Sequence, residues 1–94
     1  MDIDAFLQSI QQGKRPTELR PPLTALWHAA QGDWKRAHEI VQEESDVDSA
    51  WVHAYLHRQE GDLSNAGYWY RRAGKSKHSG SLDDELRAIA AALL

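Results

Sequence analysis

The segment Ala25 to Ile40, ALWHAAQGDWKRAHEI, returns in altered form at Ala54 to Trp69, AYLHRQEGDLSNAGYW, so one motif is written twice in this chain. The matched pairs are Ala25/Ala54, His28/His57, Gly32/Gly61, Asp33/Asp62, Trp34/Leu63, Ala37/Ala66 and Ile40/Trp69, each separated by 29 residues. A unit repeated at such a period is one supersecondary element that buries its apolar face against a neighbouring copy, which restricts the fold to a repeat architecture. Gly-Asp stands at the centre of each copy. Glycine takes the positive φ that ends one helix, and the aspartate accepts hydrogen bonds from the free N–H groups that open the next. Each copy therefore reads as two antiparallel helices around a minimal turn.

The same grammar extends along the chain. Asp2 or Asp4 caps a first helix to about Gln12, with Gly13 as its stop. Pro16, Pro21 and Pro22 make an extended connector, and Pro22 suits the first turn of a helix ending near Gln31. The third helix runs from Trp34 to about Glu44; Asp46 or Asp48 caps a fourth through Glu60; the fifth spans Leu63 to Ala73 before Gly74. KSKHSGS reads as a mobile linker, and Ser81 with Asp84 resembles a capping box opening a last helix along Leu82, Leu86, Ile89, Ala90 and Leu93. The expected fold is all-α, a compact bundle of about six helices containing two hairpins. It forms one domain: residues 1–21 are the first helix and connector, 22–45 the first hairpin, 46–74 the second, and 75–94 the linker and a helix covering an open end.

Composition narrows the chemistry. Ninety-four residues without a cysteine leave no thiolate metal site, disulfide or cysteine nucleophile. The acidic N-terminus MDIDAFLQSI lacks a basic n-region, and no stretch reaches the roughly 18 apolar residues of a membrane span, so a cytoplasmic protein without membrane contact is expected. The net charge of −3 argues against nucleic acid as a partner. Charge is segregated nonetheless: Glu39, Glu43, Glu44, Asp46 and Asp48 lie in a stretch without a base, and Arg71, Arg72, Lys75 and Lys77 in one without an acid. Complementary ends of this kind suit docking to a partner or to a second copy.

Gly61, Asp62, Leu63, Ala66, Tyr70 and Ala73, with Gly32, Asp33, Trp34 and Ala37 in the first copy, resemble the tetratricopeptide repeat over about Pro22 to Gly74. The chain departs from that family in its shorter period, against about 34 residues, in lacking the proline that closes a unit, and in carrying Glu44 where Ala73 predicts a small residue. The stretch WVHAYLHRQEGDLSNAGYWYRRAG is also similar to small bacterial proteins of about this length, a likeness that implies no activity. The repeat resemblance implies a protein- or peptide-binding module, with Trp51, Tyr55, Arg58 and Gln59 on an exposed groove side of their helix. A protein or peptide partner, or a homodimer, would cover that side.

The residues offer further candidates. Trp27, Trp34 and Trp69 read as core. Tyr68, Arg71, Arg72 and Lys75 fall on an outer face, with Trp69 and Tyr70 turned inward. His53 and His57 lie one helical turn apart with Glu60 beneath, the spacing metal-binding helices use, yet no HExxH pattern is present, and a third ligand would have to come from His28, His38 or an acid. They read as core or network histidines, and neither a metal nor another cofactor is expected. An enzyme or a small-ligand or metal site would have to rest on His53, His57, Arg58 and Asp62, without a nucleophile motif, phosphate loop or carboxylate pair to support catalysis.

Overall fold

In the computed structural model, which describes Met1 to Leu94, the helices are α1 (Ile3–Gln12), α2 (Pro21–Ala30), α3 (Trp34–Gln42), α4 (Val47–Gln59), α5 (Leu63–Ala73) and α6 (Leu82–Leu93), and there is no strand. Their ends follow the caps. Asp2, Asp33, Asp46 and Asp62 each accept a bond from the backbone N–H three residues on. Ser81 does the same for Asp84, but Asp84 does not reach back, because an aspartate is one methylene shorter than the glutamate a full capping box uses.

The two Gly-Asp turns have nearly the same conformation. Gly32 and Gly61 both sit at φ 86°, and the N–H groups of Asp33 and Asp62 donate to the carbonyls of His28 and His57 at 3.0 and 2.9 Å. Nothing lies within 4 Å of a β-carbon built on Gly61, so substitution there meets backbone strain alone. Gly61→Val should therefore cost about 1–3 kcal/mol, read as a lowered urea midpoint. An unchanged midpoint would mean that the turn does not require positive φ.

Small residues set the spacing inside each hairpin. Ala25 and Ala37 in the first, and Ala54 and Ala66 in the second, are at most 2% exposed, which lets paired helices approach closely. Ala54, Ala66 and Tyr70 form a small cluster between α4 and α5, while the main core joins Phe6, Leu26, Val41, Val52, Leu56 and Ile89. The radius of gyration is 12.0 Å, matching the ~12 Å of a globular domain this long and not an extended superhelix.

α6 does more than cover an end. Leu86, Ile89 and Ala90 enter the main core, and α6 packs against α1, α2 and α4. The segment before it is also fastened: Arg58 donates to the carbonyls of Gly80 and Ser81, so the expected mobile linker is tied to α4 at its far end. No helix is long and apolar enough to cross a membrane.

Candidate functional site

The packing of α4 decides which candidate residues can meet a partner. Val52, His53, Ala54, Tyr55, Leu56 and His57 are buried and Trp51, Arg58 and Gln59 half-buried, so the middle of the helix is packed on every side and its expected groove face carries no fully exposed side chain. The expectation for Tyr55 and Arg58 is corrected accordingly. Tyr55 is 3% exposed in the main core, where burial, followed by the charges of Glu85 and Asp83, pushes its hydroxyl up to about 12.

Arg58 turns toward α6 and donates to Glu85 at 3.0 Å, while the Tyr70 hydroxyl donates to the other oxygen of the same carboxylate at 2.5 Å. Burial, then the bond to Glu85, holds the Tyr70 hydroxyl far above its ordinary range. Arg58 still borders a surface cleft of ≈ 240 Å³ with Leu63, Ala66, Tyr70, Lys77 and His78. Gln59 is half-buried, its amide 3.5 Å from the Ala29 carbonyl. Trp51 is half-buried too, with the Lys75 ammonium 4.3 Å from its ring centre.

The outer face of α5 stays open. Tyr68 is 43% exposed, and Arg72 donates to its hydroxyl at 3.2 Å. The guanidinium lies 5.8 Å from the Tyr68 ring centre and 5.4 Å from that of Trp69, so one cation is held against two aromatic rings. Trp69 is half-buried instead of fully inward, and beside it a groove is walled by Glu44, Asp46, Val47 and Ala50.

Behind Trp69 lies a cluster that the sequence only half disclosed. Its indole stacks on the His53 ring at 3.8 Å and 11°, and the Trp34 indole stacks on the His38 ring at 4.7 Å and 9°. Trp34 is fixed in turn by its N–H, which donates to the Leu56 carbonyl at 2.7 Å. Between these plates His53 Nε2 and His38 Nε2 are 3.1 Å apart, and His57 stacks on His53 at 4.9 Å while its Nδ1 meets Glu60 at 2.7 Å. One ring nitrogen from each of His38, His53 and His57 falls within 4.8 Å of the other two, a set that can converge on a metal ion. Burial, with His38 and His57 as neighbours, brings the His53 imidazole down to about 4, and burial with His57 lowers His38, so these rings are neutral at physiological pH.

His28, the repeat counterpart of His57, stands apart. Glu60 corresponds to Gln31, whose amide donates to the Ile10 carbonyl, so His28 lacks the carboxylate partner that His57 has and its Nε2 is unpartnered. No protein-family model, curated protein or solved structure matches the chain.

Proposed function

We propose that the protein is a protein- or peptide-binding module built from tetratricopeptide-like hairpins, and that it docks its partner on the outer face of α5 through Tyr68, Trp69 and Arg72. The observation that carries this reading is the Arg72 guanidinium held over two aromatic rings at the surface. A cation fixed in this way is ready to pair with a carboxylate, and the exposed ring edge beside it accepts an apolar side chain. Glu44 and Asp46 on the neighbouring groove wall repel a run of acids, so the surface favours a single carboxylate next to an aromatic or aliphatic residue.

Selection from a random peptide library on the immobilised protein tests this. Enriched peptides should pair an acid with an adjacent apolar residue, and Arg72→Glu should weaken them by about tenfold or more, about 1.4 kcal/mol, with the melting temperature unchanged. Peptides without acids, or equal binding by the variant, would contradict the reading.

A further inference from the structure

Going beyond that docking surface, we infer that His38, His53 and His57 form a site for one divalent transition-metal ion of the zinc class, with Glu60 as the carboxylate behind His57. Packing against Trp34 and Trp69 requires one imidazole face on each indole. It does not require nitrogens from three rings on two helices to gather within 4.8 Å.

The spacing fits an ion. Two nitrogens bound to one tetrahedral zinc at about 2.0–2.1 Å lie about 3.3 Å apart, and His38 Nε2 and His53 Nε2 are separated by 3.1 Å. The Nδ1 of His57 meets the Glu60 carboxylate at 2.7 Å, which places its proton there and leaves Nε2 as the basic nitrogen. A carboxylate behind a ligating histidine is the usual means of fixing its tautomer and orientation. Trp34 and Trp69 hold the His38 and His53 rings in plane, so little side-chain freedom remains to be lost on binding.

Proton balance is simple. Without an ion, one of His38 and His53 carries its proton on Nε2 and donates to the other. When the ion binds, that neutral ring changes tautomer through solvent, its proton moving to Nδ1 with no net release. Three imidazoles and no thiolate suit zinc, cobalt, nickel or copper(II) and not magnesium or calcium. Three protein ligands leave a fourth position for water.

The test is titration of the chelator-treated full chain with Zn²⁺ by calorimetry, with Co²⁺ by visible absorption, and with Mg²⁺ as the control. One Zn²⁺ should bind per chain with micromolar affinity or tighter, Co²⁺ should show ligand-field bands of four- or five-coordinate intensity, and Mg²⁺ should give no heat. His38→Gln and His53→Gln should weaken zinc by more than about a hundredfold, and Glu60→Gln by about 10–100-fold, whereas His28→Gln and His78→Gln should bind as the parent does. Circular dichroism checks each fold; should the buried His53 variant unfold, half-buried His38 carries the comparison. Zinc that fails to bind stoichiometrically, or binds His38→Gln as tightly as the parent, would overturn the site, as would sensitivity to His28→Gln.

Discussion

Arg58→Ala should destabilise the protein by about 3–5 kcal/mol, a large share of the roughly 5–14 kcal/mol available to a domain of this length. The Glu85 side chain is 1% exposed and that of Arg58 18%, so removing the guanidinium strands a carboxylate in the interior with only the Tyr70 hydroxyl to solvate it. The same substitution frees the Gly80 and Ser81 carbonyls and so loosens the start of α6. Breaking one partner of a buried pair costs more than replacing both, because an apolar pair leaves no uncompensated charge. Combining Arg58→Met with Glu85→Leu should therefore recover most of the loss, less about 1–3 kcal/mol for a Tyr70 hydroxyl without its acceptor. Urea unfolding measures both variants against the parent. A single-variant cost below about 0.5 kcal/mol would mean that water reaches Glu85.

Acid should unfold the protein in a window set by the histidine cluster. His53 falls from an ordinary 6.5 to about 4 in the folded chain, and its side chain is nearly inaccessible, with 4% of the residue exposed. Between those values the unfolded chain binds a proton that the folded chain refuses, so the stability of the native state rises with pH. This contribution is complete above about pH 6.5, declines as pH falls and is gone below about pH 4, amounting to something on the order of 3 kcal/mol. His38 and His28 are lowered as well and add in the same direction. Unfolding free energies measured from pH 7 to 4.5 should show this slope, and His53→Gln should flatten it whatever it does to the absolute value. A parent whose stability is level across that range would contradict the burial of a neutral His53.

Much of the fold could be read from residues whose effect is local. A glycine followed by aspartate fixes a turn within four residues of chain, and the two turns agree in φ and in their hydrogen bonds. The exposed face of α5 was legible for a similar reason, since Tyr68 and Arg72 lie one turn apart. Tyr55 and Arg58 were misplaced because their surroundings depend on α6, which arrives from the far end of the chain. A hint was present: Glu85 lies on the same stripe as Leu82, Leu86 and Ile89, and an acid on an apolar stripe requires a buried cation.

The histidine cluster was half legible. His53 and His57 share a stripe of α4, but His38 has Gly67 as its counterpart in the second copy, so the repeat gives it no weight. The signal that finds it is antiparallel register. α3 and α4 fold back about Ser45 and Asp46, and residues equidistant from that turn meet, which pairs His38 with His53 and Trp34 with His57. The cluster thus belongs to the junction between the two hairpins and not to either copy.

That junction is tested most directly by nuclear magnetic resonance of the histidine rings in nitrogen-labelled protein, followed from neutral pH into acid. Through-space contacts are expected between the His53 and Trp69 rings and between the His38 and Trp34 rings, with the His57 ring protonated on Nδ1 and His53 staying neutral until the pH approaches about 4. A His53 titrating near 6.5, without contact to Trp69 or His38, would show that the two hairpins do not bring these rings together.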